Sequence, residues 1–143
     1  AELREHAHPL PGAKELIDSL AKQGYQIWLA TSAAPEELEG SLEELEAEDK
    51  ISGVVYSKEV ENGKPAPDIF ELALERAGVE PDEAVAVGDA IWDIESAEAA
   101  GIRSVGVVTG GAFTEEKLKE SGAVRVYRSC AELLESGFPD WLN

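Results

Sequence analysis

Five short apolar runs, separated by segments whose apolar residues recur every three or four positions, constrain this chain more than any other feature. The runs cover 25–30, 53–57, 84–87, 103–108 and 124–127. Each is brief, rich in β-branched or other apolar residues, and bounded by turn formers, as expected of a strand buried on both faces. Between them, Ala13, Leu16, Ile17 and Leu20 share one helical face ahead of Gly24, and Pro35 opens a second helix with Leu38, Leu42 and Leu45 inside. A third helix over 67–77 turns Ile69, Phe70, Leu72 and Ala73 inward and stops at Gly78; Ile91, Ile94 and Ala97 mark a fourth over 91–100, capped by Gly101. Helices over 114–120 and 130–136 complete the series. Strands and helices in alternation require right-handed crossovers and a parallel sheet covered on both faces. The predicted fold is therefore α/β, a three-layer doubly wound (Rossmann-like) parallel five-stranded sheet. No repeat, low-complexity segment or linker divides the chain, so 1–143 reads as one domain.

Composition narrows the partners. Thirty acids against twelve bases give a formal charge of -18, which repels nucleic acid and anionic membranes and slows anionic substrates. No apolar run has membrane-spanning length and no secretory signal is visible. Cys130 is the only cysteine, so an internal disulfide is impossible. It reads as core filler, and a reducing cytoplasm fits. Methionine is absent, from which a processed, trimmed or engineered chain is expected.

Several segments carry residues suited to chemistry. The stretch GDAIWDIESA at 88–97 follows an apolar run and places Asp89 and Asp93 on a strand-to-helix turn, where open α/β sheets bind ligands. Two carboxylates there suit a hard cation such as Mg2+, or else serve as the acidic first turn of a helix, favoured by its macrodipole. Thr31 and Ser32 close the first strand with two hydroxyls and adjacent amides, able to hold a phosphate or to cap the helix opened by Pro35. Lys64 lies in Gly63-Lys64-Pro65-Ala66-Pro67, a stiff turn that either presents a cation to a phosphate or leaves an ordinary lysine in solvent. Thr109, Gly110 and Gly111 read as a plain turn. His6 and His8 lack further zinc ligands and read as surface residues. The glutamates of 36–48 form a solvated helix face, and Trp28, Trp92 and Trp141 read as packing residues, with Trp92 able to shape a pocket between the two acids.

In combination, ATSA at 30–33, ENGKPAPDIF at 61–70 and GDAIWDIESAEAAGI at 88–102 resemble the haloacid dehalogenase (HAD) superfamily, in its phosphoglycolate phosphatase-like and β-phosphoglucomutase-like branch. The resemblance covers the chain from Pro11 onward. It implies a phosphatase site in which Thr31 bonds the transferring phosphoryl group, Ser32 and Lys64 help hold it, Lys64 offsets its charge, and Asp89 with Asp93 holds Mg2+. The implied ligand is a small phosphorylated metabolite. Each role suits the residue type, because phosphoryl transfer depends on positioning and charge neutralisation.

One departure stands out. Members of the family open with a strand ending in Asp-x-Asp-Gly-Thr, whose first aspartate is the nucleophile, and a cap segment follows it. Neither pattern occurs in these 143 residues, where the first aspartate is Asp18. Asp18, Asp49, Asp68, Asp82 and Asp140 all fall in helical or loop patterns. The reading is therefore a HAD core lacking that strand and cap, with little or no turnover by this chain alone. In the family the absent strand lies mid-sheet, in the order 3-2-1-4-5. The remaining strands are expected either to close into the flavodoxin-like order 2-1-3-4-5 or to take a strand from a partner, so that a homo-oligomer or a strand-supplying partner is expected. A non-catalytic phosphate- or Mg2+-binding module and an engineered or truncated scaffold are the alternative functions.

Overall fold

The strands and helices form where the apolar periodicity places them. The computed structural model describes residues 13–31, 35–45, 49–108 and 113–139. In chain order the elements are α1 (Ala13–Lys22), β1 (Trp28–Thr31), α2 (Pro35–Leu45), β2 (Gly53–Tyr56), α3 (Asp68–Ala77), β3 (Val85–Gly88), α4 (Ile91–Ala99), β4 (Arg103–Val107), α5 (Glu115–Glu120), β5 (Arg125–Tyr127) and α6 (Cys130–Glu135). Local chemistry sets their ends. Gly78 stops α3 in the left-handed conformation, φ 72°, with its N–H on the carbonyls of Leu74 and Glu75. The hydroxyls of Thr114 and Ser129 accept from Lys117 N and Glu132 N, capping α5 and α6.

All strand pairing is parallel. β1 pairs with β2, setting Trp28 opposite Gly53, and the Trp28 ring covers that glycine so closely that a Cβ there would collide with it. β3 pairs with β4 and β4 with β5, with Val87 opposite Val105 and Gly106 opposite Val126. β1 and β3 do not pair. The five-stranded order 2-1-3-4-5 is therefore not formed. A two-stranded sheet, β1-β2, stands beside a three-stranded sheet, β3-β4-β5.

The helices bridge the two sheets. On one face, Ala13, Leu16 and Ile17 of α1 and Cys130 and Leu133 of α6 form a single apolar cluster with Leu29 of β1 and Val105 and Val107 of β4. On the other, Ile69 of α3 packs on Ala30 and Val55, while Phe70 and Leu74 join Ala84 and Ala86 in packing against Ala97, Ala100 and Ile102. α4 and α5 cover the remaining strands through Ile94 and Leu118. One core thus spans both sheets, and a cleft of about 510 Å³ runs between β1 and β3. Leu16, Leu20, Cys130 and Phe138 line it from one layer, and Phe70, Ala73 and Leu74 from the other. Drawing the strands together would require the side chains that line this space to repack.

Other expectations meet mixed outcomes. Glu36, Glu37, Glu39 and Glu43 are exposed, so the solvated face of α2 is as expected. The side chains of Leu38, Leu42 and Leu45 lie outside the description. Trp28 packs over Gly53, but Trp92 is 40% exposed and meets the Phe113 ring in a T-shaped contact, at 5.2 Å between centroids. Trp92 is thus a surface residue more than a packing one. Trp141, His6, His8, Ser32, Thr109, Gly110 and Gly111 lie outside the described residues. Among the described residues, no helix is long and apolar enough to cross a membrane.

Candidate phosphate and metal site

Four of the five site residues named from sequence gather at the carboxyl ends of β1 and β3. Thr31 is the last residue of β1 and fully buried. Asp89 follows directly on β3 and is 5% exposed; Asp93, in the first turn of α4, is 2% exposed. Ala90 caps that helix, and its carbonyl accepts from Asp93 N at 3.1 Å. Gly88 is required by this close turn. A Cβ on it would approach the Asp93 Cβ to 2.6 Å, closer than two such atoms tolerate.

Lys64 joins the two strand ends. Its Nζ donates to the Ala30 carbonyl at 3.0 Å and to Asp93 Oδ1 at 2.6 Å, with only 10% of its side chain exposed. The solvent-facing alternative for this lysine is therefore excluded. Its backbone is held by the turn that follows, in which Ala66 N donates to Gly63 O at 3.0 Å and Ser96 Oγ of α4 donates to Ala66 O at 2.5 Å. Asn62 N reaches the Asp68 carboxylate at 3.2 Å and fixes the approach to the turn. The ammonium also lies 5.7 Å from the centre of the Phe70 ring, within cation–π range. A buried cation needs such partners, because desolvation without them is expensive.

Three contributors were not evident from the residue pattern: Phe70, Ser96 and the Ala30 carbonyl. Ser96 carried a signal, as a polar residue on the inward face of an apolar-periodic helix. The Ala30 carbonyl carried none, since nothing in a sequence marks which backbone group a distant lysine will reach. Cys130 is core filler as expected, 4% exposed, with burial and then the nearby Asp89 charge pushing its thiol up to about 11.

The donor chemistry admits a cation. Magnesium takes oxygen ligands in octahedral geometry and keeps several waters, so one or two carboxylates beside a phosphate suffice. Asp89 and Asp93 supply that type of donor. Asp93 commits Oδ1 to Lys64. No group of three or more His, Cys, Asp or Glu suited to a metal occurs among the described residues. The acidic first turn of α4 is present as well, so the macrodipole account of Asp93 holds alongside.

Comparison with known proteins places this arrangement in context. The family model for haloacid dehalogenase-like hydrolases matches residues 1–107. A phosphorylated carbohydrates phosphatase of Thermotoga maritima is 32% identical over 118 residues, 82% of this chain and 55% of that protein. A phosphoglycolate phosphatase of Rhodospirillum rubrum is 33% identical over 133 residues, 93% of this chain and 52% of that protein. The chain spans about half the length of these curated relatives. A solved hydrolase from Pseudomonas syringae superposes with a TM-score of 0.81 at 35% identity, over 90% of this chain and 61% of its own. CbbY from Rhodobacter sphaeroides, solved in complex with phosphate, gives 0.78 at 29% identity over 88% and 56%. With matched motifs, a shared fold and a family model covering most of its length, the chain belongs to the haloacid dehalogenase-like hydrolases.

Proposed function

We propose that this chain is the phosphate- and Mg2+-holding part of a phosphatase for small phosphate monoesters, whose attacking carboxylate comes from polypeptide outside these 143 residues. The observation that carries the reading is the convergence on Lys64. Its buried ammonium links the carboxyl end of β1, beside Thr31, to the first turn of α4, beside Asp89. Elements far apart in sequence thereby supply a hydroxyl, a fixed cation and two carboxylates to one sheet end. The phosphatase names of the relatives, and phosphate bound to CbbY, support the same chemistry.

In this reading Thr31 and Ser32 orient the phosphoryl oxygens, and Lys64 offsets their charge from a position secured by Ala30 O and Asp93. Asp89, with Asp93, holds Mg2+, which when bound neutralises charge on the phosphoryl group. Covalent catalysis needs a carboxylate nucleophile at the sheet end. Asp89 and Asp93 are committed elsewhere in this scheme, and no earlier aspartate than Asp18 is available. The chain alone is therefore expected to release no inorganic phosphate from p-nitrophenyl phosphate with millimolar Mg2+. Mg2+ added alone is expected to shift the amide resonances of 88–93. Steady, Mg2+-dependent turnover that disappears in Asp89→Asn would show that the nucleophile lies within the chain, and unmoved resonances at millimolar Mg2+ would remove the metal site.

A further inference from the structure

One buried hydroxyl supports the site from outside it. Ser96 lies fully buried on α4, where a helical serine can satisfy its hydroxyl on the carbonyl four residues back in its own helix. Its Oγ instead donates to Ala66 O at 2.5 Å, thirty residues away in sequence. Asp93 precedes Ser96 by three positions, so the two share one helix face. That face grips a single short stretch of chain at two points. The Asp93 carboxylate takes the Lys64 ammonium at 2.6 Å, and the Ser96 hydroxyl takes the backbone carbonyl two residues further on. Gly63 and Pro65, on either side of Lys64, are exposed, whereas the Lys64 side chain is only 10% exposed. A surface turn thus sends one long side chain inward and holds it there, against the rotamer freedom such a chain would otherwise keep. Upstream, Asn62 N and Nδ2 donate to Asp68 at 3.2 and 3.3 Å, but in exposed surroundings where water competes. The Ser96 hydroxyl is shielded from that competition.

We infer that Ser96 is a positioning residue for Lys64: by fixing Ala66 O it sets where the Lys64 ammonium stands relative to α4, and so where a phosphoryl group meets positive charge. The part played by Lys64 rests on the phosphatase reading above, whereas the hold of Ser96 on Lys64 rests on hydrogen-bond geometry. Asp93 by itself cannot fix the ammonium. Lysine carries its charge on a flexible four-carbon stem, so the ion pair can persist while the backbone beneath it drifts. The second grip, on the backbone, removes that slack. A charge held in place stabilises a phosphoryl group better than one that must be gathered from several positions, and small displacements at such a site have large effects on binding and rate. Ser96 touches neither the phosphoryl position nor a metal in this scheme; it acts through the turn that carries Lys64.

Proton–nitrogen correlation spectra of the lysine ammonium groups test this directly, with the Lys64 signal assigned by its loss in Lys64→Arg. The shielded Lys64 ammonium is expected to exchange its protons slowly in the unsubstituted chain. Ser96→Ala should speed that exchange about fivefold, the population equivalent of one ordinary hydrogen bond. Ser96→Thr keeps the hydroxyl and should restore slow exchange. Ile94→Val trims a fully buried side chain of the same helix and controls for general loosening, so it should leave the ammonium unchanged. Inorganic phosphate titrated in the presence of Mg2+ reads the consequence: Ser96→Ala should weaken its binding about fivefold, and Ile94→Val should not. The inference is overturned if Ser96→Ala leaves the ammonium signal as it was, if Ile94→Val alters it equally, or if the unsubstituted chain shows no slowly exchanging Lys64 signal. Phosphate binding that tolerates Ser96→Ala overturns it as well. If the threonine methyl is not accommodated, the alanine and valine variants decide the matter between them. Absence of phosphate binding to the unsubstituted chain would count against the phosphatase reading, while the ammonium comparison still decides whether Ser96 places Lys64.

Discussion

The two sheets carry unequal shares of this molecule. The three-stranded sheet has β4 paired on both edges and fully buried residues on both faces, Val105 on one and Ile94 and Leu118 on the other. The two-stranded sheet has no such interior strand, and a pair of strands alone is marginal in water. It is held by what crosses to it: Leu29 into the shared cluster, Ile69 beneath Ala30 and Val55, and the Gln26 contact to the end of α3. Arg76 of α3 adds Val54 O at 3.4 Å and Glu59 at 2.7 Å. Each half also brings different chemistry to the site. The first supplies a hydroxyl and, from the turn after β2, the cation, whereas the second supplies the acids. The Lys64–Asp93 pair is therefore both part of the site and a tie between unequal halves.

Cutting that tie should have the largest effect. Lys64→Ala leaves the buried Asp93 without its ammonium, and loss of one partner of a buried pair costs about 3–5 kcal/mol. Urea unfolding would measure it, with the Lys64→Ala, Asp93→Asn double variant expected to recover part of the loss. A cost under about 1 kcal/mol would mean that the halves do not depend on this pair. Next come matched cavities in the two halves. Ile94→Ala and Ile69→Ala each truncate a fully buried side chain and should each cost about 2–5 kcal/mol. Hydrogen exchange separates them: Ile69→Ala should loosen β1 and β2 ahead of the rest, whereas Ile94→Ala should lower protection throughout. Uniform loosening in both variants would make the sheets one cooperative unit.

A smaller effect is expected from Gly88→Ala, which presses a Cβ against Asp93 and should cost about 1–3 kcal/mol. Its readout is the thermal midpoint together with the amide shifts of 88–93. The smallest effect concerns the exposed clamp on the weaker half. Arg76, then the Tyr56 N–H, hold the Glu59 carboxyl down to about 2 from an ordinary 4.5. A depressed folded value favours the folded state above pH 4.5, and that contribution fades as pH falls from there toward 2. Glu59→Gln should flatten this part of the stability–pH curve. An unchanged slope would show that the clamp adds nothing to the two-stranded half.

Much of the molecule was legible from residue order. Apolar periodicity located the eleven strands and α-helices among the described residues, because side chains repeat every two residues on a strand and every 3.6 on a helix. Gly78 was read as a helix stop from a purely local preference, and Thr114 proved to be a cap of the same local kind. Thr31, Asp89 and Asp93 were legible because they lie at or shortly after strand ends that the pattern located, and Lys64 because its Gly-Lys-Pro frame marks a stiff turn. Trp92 was misread, since an aromatic residue on a helix carries no mark of which side will be covered. The strand order stayed open between closing into 2-1-3-4-5 and taking a strand from a partner, and the first is not formed. Periodicity records that a strand will be buried but not which edge it will meet.

The chain's own order of residues determined the alternation of strands and helices, the helix stops and the set of groups available for chemistry, because these depend on neighbours within a few positions. Only the tertiary structure decided that β1 and β3 stand apart, and that Lys64 reaches the Ala30 carbonyl and Asp93 across the gap. Both outcomes depend on groups that are far apart in sequence and meet only when the layers assemble. Assembly of that kind is a property of all the layers together and is written in no single segment.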